Sequence, residues 1–190
     1  MLKKSDRKRL DAWPHSRYKS EAIGNAMLLR KESNMKYICP LIAVNDINVS
    51  KRFYTDIMKQ KVEYDFGENI SFEGGFSIHL KTHFAQLINQ KPMTSPSHNF
   101  ELYFEFNDVD SFVKELKKQQ IELIHDVFEQ PWKQKSVRFY DPDKHIIEVG
   151  ESMENVAYRL SKEGKSNEEI SGLTEMPVEF VSDAIKKMQN

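Results

Sequence analysis

VNDINVSKRFY (residues 44–54) and ELYFEFNDVDSFVKEL (residues 101–116) decide the fold. Asn45-Asp46-Ile47 in the first returns 62 positions later as Asn107-Asp108-Val109 in the second. Each triplet separates a β-rich apolar run, 37–44 (YICPLIAV) or 100–106 (FELYFEF), from a segment with helical spacing. Val49, Phe53 and Ile57 place the first helix over 49–58, with Ser50 near its start; Phe112, Val113 and Leu116 place the second over 109–119. Working outward, strands are predicted over 62–66, 70–73 and 76–81, punctuated by Gly67 and Gly74-Gly75. Three more follow the second helix over 122–127, 136–140 and 145–149, the last two joined by the turn Asp141-Pro142-Asp143-Lys144. The stretch 89–99 carries two prolines and reads as a linker. The pattern βαβββ therefore occurs twice, in modules 37–81 and 100–149. One such module leaves a bare apolar sheet face; two can bury each other's.

The flanks differ from this α+β core. Residues 1–34 hold nine basic and four acidic side chains, a net charge of +5 in a chain whose total is −1. No apolar run follows that basic cluster, which excludes a secretory signal. It reads as a disordered extension, or as a start assigned upstream of Met35, with a basic arm for RNA or membrane as the alternative. Residues 152–190 read as a helical appendage: a Met153, Val156, Ala157, Leu160 stripe, Gly164 as a stop, a capping box at Ser166–Glu169, and a helix after Pro177. Segment 151–190 resembles a helix-turn-helix fragment, but its five basic and eight acidic residues disfavour DNA. Near-zero net charge argues against nucleic acid or membrane as partner, and the lone Cys39 against a disulfide framework. A cytoplasmic protein is the expectation.

The paired modules, the two runs quoted above and RFYDPDKHIIEVGE (138–151) resemble the vicinal oxygen chelate superfamily, the fold of glyoxalase I, bleomycin-resistance proteins, fosfomycin-modifying enzymes and extradiol dioxygenases. The resemblance covers about 37–151 and implies a glyoxalase-like domain over 35–151, with each module curling into half of an open, barrel-like cavity. It further implies divalent-metal ligands on the first and last strands of each module. Alternation along the strands puts Phe100, Leu102, Phe104 and Phe106 toward the helices and Glu101, Tyr103 and Glu105 toward the cavity. The same reasoning turns Ser77, His79 and Lys81 inward, together with Glu148 and Ile146, and Cys39, Leu41 and Ala43. The ligand positions thus read Cys39, His79, Glu101 and Glu148. Only Glu148 is the residue the family would place there.

A thiolate, an imidazole and two carboxylates suit Zn²⁺ better than Mn²⁺ or Mg²⁺. Each also has a plainer reading. Cys39 can be a small buried hydrophobe, His79 can meet a loop or water, and the glutamates can be solvated in an open bowl. Trp132 is placed to stack on or cover a flat ligand. Arg138 is placed to grip a ligand carboxylate or phosphate, or to pair with Glu101 or Glu105 instead. His145 reads as a turn residue, and His15, His83, His98 and His125 show no usable spacing. Two functions follow from the resemblance. One is a metal-dependent lyase or isomerase of the glyoxalase I kind, with Glu148 or Glu101 as general base. The other is a metal-free binding protein of the bleomycin-resistance kind, its small-molecule ligand held by Trp132, Tyr103 and Arg138. A homodimer is implied in either case.

Overall fold

Two short acidic caps start the two halves of the fold. The computed structural model describes residues 37–189, so the basic extension over 1–34 lies outside the described residues; the chain from Cys39 onward forms one unit. Strand β1 (Leu41–Val44) leads to Asp46, whose carboxylate accepts hydrogen bonds from the Asn48 and Val49 N–H groups. That cap opens helix α1 (Ile47–Arg52), which widens into a π turn over Phe53–Ile57. The helix starts two residues before the predicted point, because Asp46 and not Ser50 satisfies its free N–H groups. Strands β2 (Val62–Asp65), β3 (Asn69–Phe72) and β4 (Phe76–Leu80) follow as predicted. Lys81 is not a strand residue: helix α2 (Lys81–Leu87) begins there, ahead of the irregular linker. With no side-chain cap and no buried residue, α2 left little periodic signal to read.

The second half repeats the first. After β5 (Glu101–Glu105), the Asp108 carboxylate accepts from the Ser111 N–H and opens α3 (Val109–Lys118). Strands β6 (Leu123–Glu129), β7 (Lys135–Tyr140) and β8 (Ile146–Gly150) complete the module. The sheets have the same order, β1-β4-β3-β2 and β5-β8-β7-β6, with the first pair of each parallel and the rest antiparallel. Neither closes into a barrel.

One face of each sheet supplies a shared core. Ile42, Val44, Ile70, Phe72, Phe76 and Ile78 from the first sheet join Leu102, Val137, Phe139, Ile147 and Val149 from the second. Phe53, Tyr54, Val113 and Leu116 complete it from the helical segments. Phe100 and Phe106 depart from the expected helix-facing side: they lie just beyond the two ends of β5 and stay 45% and 50% exposed.

The turn at Asp141–Asp143 does more than reverse the chain. Tyr54 Oη donates to Asp141 Oδ2 at 2.9 Å. The Asn45 N–H and side-chain amide both donate to Asp143 Oδ1, and Ser50 Oγ donates to Asp143 Oδ2. Both carboxylates are buried, so these bonds tie the first module to the second where water cannot compete.

Three helices close the chain: α4 (Met153–Lys162), α5 (Asn167–Thr174) and α6 (Val178–Gln189). Ser152 caps the first, Gly164 follows its end at φ +87°, and the Ser166–Glu169 capping box opens the second. Val156, Ala157, Leu160, Ile170, Val181 and Ala184 form their own small core. Among the described residues no helix is long and apolar enough to cross a membrane.

Candidate functional site

Burying alternate residues of β5, β7 and β8 leaves the intervening ones on the opposite face. The register places Tyr103 beside Glu148 and Glu148 beside Arg138, so Glu101, Tyr103, Glu105, Arg138 and Glu148 share one polar surface. Arg138 is its centre. Its Nε donates to Glu101 Oε2 at 2.9 Å, and its Nη2 donates to Glu148 Oε2 at 2.6 Å and to Glu101 Oε1 at 3.4 Å. The pair expected with Glu101 or Glu105 is thus a bridge between Glu101 and Glu148. The two carboxyls are driven apart in acidity. Hydrogen bonding from Arg138 holds Glu101 below the usual carboxylate range, whereas burial, aided by repulsion from Glu101, lifts Glu148 above it despite Arg138.

Tyr103 stands next to this group with its hydroxyl 3.3 Å from Glu105 Oε1. Burial and the nearby carboxylates push its phenol up to about 12. Its partner is Gln134, a residue the sequence reading missed because a glutamine between two lysines looks like surface. Gln134 is only 5% exposed. Its Nε2 donates to Tyr103 Oη at 2.9 Å and to the Glu151 carbonyl at 2.6 Å, and its Oε1 accepts from Trp132 Nε1 at 3.0 Å. Trp132 therefore sits at the rim of the polar face through Gln134. A cleft of about 580 Å³ lies off the end of β5 and shares only Glu105 with that face. Asp108 from the β5–α3 turn and Glu154 and Lys187 from the terminal helices also line it.

The first sheet carries a separate group. Cys39 precedes β1 instead of lying within it, and its Sγ is 3.3 Å from Ser77 Oγ. His79 is buried, with Nδ1 3.2 Å from Asn69 Nδ2 and Nε2 2.9 Å from His83 Nδ1. His83 in turn is 3.0 Å from Glu68 Oε2. Burial and the neighbouring His83 hold the pKa of His79 down. His83 showed no useful spacing in sequence because it reaches His79 only through α2, the helix that was not predicted.

Two open mixed sheets of identical order, packed through one core and polar on their other faces, define the glyoxalase/bleomycin-resistance/dioxygenase class of proteins. The chain belongs to the glyoxalase-like domain family, which matches residues 37–154. Among solved structures, a protein of unknown function from Agrobacterium tumefaciens is 40% identical, with a TM-score of 0.58, over 64% of this chain and 98% of that one. A glyoxalase/bleomycin resistance protein/dioxygenase from Nocardioides is 16% identical, with a TM-score of 0.52, over 69% and 93%. A glyoxalase-related enzyme from Fulvimarina pelagi is 16% identical, with a TM-score of 0.54, over 62% and 89%. The last two show likeness of fold alone. No curated protein matches the chain.

The superfamily generally uses divalent metals, and the donor set here can be tested against that use. Cys39, ahead of β1, and His79 on β4 lie with the first sheet, and Glu101 and Glu148 on the second. The carboxylates already share a guanidinium, and both His79 nitrogens have partners. Among the described residues no three His, Cys, Asp or Glu side chains are grouped to hold an ion. As arranged, the four residues are not gathered around a single ion position.

Proposed function

We propose that the protein binds a small organic cation on the polar face of its second sheet without a metal, the reading allied to the bleomycin-resistance proteins. One observation carries it: Arg138 bonds Glu101 and Glu148 at once, so the carboxylates that would serve a metal are paired to a guanidinium. The charge balance supports the choice of ligand. Glu101, Glu105 and Glu148 face one Arg138, and the adjoining cleft adds Asp108 and Glu154 against Lys187. Tyr103 and Trp132 offer aromatic surface to a cation, and such contacts contribute roughly 0.5–2 kcal/mol each.

The test combines metal content with ligand titration. Untagged protein incubated with Zn²⁺, Mn²⁺, Ni²⁺ or Fe²⁺ and desalted is expected to retain no stoichiometric metal by mass spectrometry. It is expected to bind benzyltrimethylammonium by calorimetry, more weakly after Glu148→Gln. Near one equivalent of metal, lost in both Glu148→Gln and Cys39→Ala, would overturn the proposal in favour of the metal-dependent lyase or isomerase, with Zn²⁺ as the fitting ion.

A second reading rests on the opposed acidities of Glu101 and Glu148, a division that suits proton transfer. In that reading Glu148 is the general base. Turnover lost in Glu148→Gln, with ligand affinity retained, would separate it from binding alone. The homodimer implied by the family is part of the proposal, and light scattering measures it.

A further inference from the structure

Gln134 holds two aromatic groups of the polar face, and the chain on both sides of it is held in turn from α4. Glu151 is 2% exposed, and its carboxylate is the hub. Arg159 Nε donates to Glu151 Oε1 at 3.1 Å and Nη2 to Oε2 at 3.0 Å. The same Nη2 donates to the Lys133 carbonyl at 2.7 Å. Glu151 Oε2 also accepts from the Lys135 N–H at 2.9 Å. The residues before and after Gln134 are therefore fixed by one guanidinium and the carboxylate it pairs with. Gln134 in turn spends its amide on Glu151, Tyr103 and Trp132.

A planar guanidinium bonded to both carboxylate oxygens and a carbonyl defines orientation in a way that an ammonium cannot. We infer that the C-terminal helices frame the ligand site: Arg159 on α4, acting through Glu151 and Gln134, is a positioning residue for Tyr103 and Trp132. The inference rests on the polar face being the ligand site proposed above. It gives the appendage a role that neither the glyoxalase-like match nor the acidic surface of its helices supplies. Arg159 also lies near the exposed Glu129 and Glu163; Glu129 pairs with Lys133 beside Gln134, whereas Glu163 at the end of α4 lies away from it and serves as the control.

The chain has two tryptophans, so full-length protein with Trp13→Phe leaves Trp132 as the sole reporter. Acrylamide quenching of Trp132 and titration with benzyltrimethylammonium are measured in that parent and in Arg159→Met, Arg159→Lys and Glu163→Gln, each checked for native far-ultraviolet circular dichroism. Arg159→Met is expected to expose Trp132 to quencher and to weaken the cation about tenfold, equivalent to ~1.4 kcal/mol. Arg159→Lys should fall between parent and Arg159→Met, and Glu163→Gln should match the parent. Arg159→Met that melts earlier yet keeps both quenching and affinity would overturn the inference and leave Arg159 a purely structural residue. Altered quenching with unaltered affinity would overturn it as well. A parent that binds no cation refutes the ligand reading, and quenching alone then decides whether α4 positions Trp132. Should Arg159→Met fail to fold, the comparison of Arg159→Lys with Glu163→Gln decides in the same terms.

Discussion

Replacing Arg138 with methionine isolates what the guanidinium does, because methionine keeps much of the side chain's length and removes only its charge and donors. The link to Glu101 joins side chains about one-third exposed, so it contributes at most ~1 kcal/mol. The link to Glu148 differs, since that carboxylate is only 9% exposed. A hydrogen bond to such a charged group contributes ~1.5–3 kcal/mol, and breaking it leaves Glu148 beside Glu101 with no neutralising partner. At pH 8 the loss is therefore about 2–3 kcal/mol, which for a chain of this size lowers Tm by about 4–12 °C.

The pH dependence is the sharper part of this prediction. Glu148 already has a folded pKa above its unfolded value, so its contribution to stability falls as pH rises through the interval between the two. Without Arg138 that interval widens upward. The deficit of the variant is therefore smaller at pH 5 than at pH 8. Thermal unfolding followed by circular dichroism at pH 5 and pH 8 measures both. A deficit that is the same at the two pH values, or absent at pH 8, would refute the claim that Arg138 favours the charged form of Glu148.

Three further outcomes follow from the same contacts. Asp143→Ala strips the Asn45 and Ser50 donors of a buried partner and should cost about 2–4 kcal/mol in urea unfolding; a loss under ~1 kcal/mol would contradict the tie between modules. Burial opposes charge on His145, yet the Asp141 carboxylate bonded to it raises its pKa, so this pair stabilises below the ordinary pKa of about 6.5 and the stabilisation is lost as pH rises through the folded value. The Tm gap between wild type and His145→Gln should accordingly be wide at pH 5.5 and narrow at pH 8.5, and a gap independent of pH would contradict it. Gly150→Ala would bring a Cβ to 3.0 Å from Gln134 Nε2 and 3.3 Å from Tyr103 Cε2; because Gln134 is pinned, the cost should be about 1–2 kcal/mol. Gly172→Ala, in open space within α5, should instead stabilise by about 0.5–1 kcal/mol, and equal effects at the two glycines would refute the crowding.

The repeat of Asn45-Asp46-Ile47 in Asn107-Asp108-Val109 made the fold legible because it carries the same task twice. Both aspartates cap the helix that follows, and both asparagines bond outward, Asn45 to Asp143 and Asn107 Oδ1 to the Ser152 N–H. Alternation likewise predicted the polar face of β5, since Leu102 and Phe104 could not leave the core without exposing Glu101 and Tyr103 to it. Periodicity fails where a position is set by a partner distant in sequence. Ser77 and His79 share a face of β4, as alternation required, but Cys39 lies ahead of β1, and what His79 binds depends on Asn69 and on α2, which has no cap and no buried stripe.

The same limit applies to the ligand positions that the resemblance implies. Equivalence by offset pairs Cys39 with Glu101 and His79 with Glu148, and it says nothing about β7, where Arg138 arises. One guanidinium, entering from a strand that supplies no expected ligand, is enough to occupy both carboxylates of the second module. The polar face then stays acidic overall with its central charges already opposed. On the reading proposed above, an organic cation would add to that face without breaking the Arg138 pairs, whereas a metal ion would first have to displace a bidentate arginine.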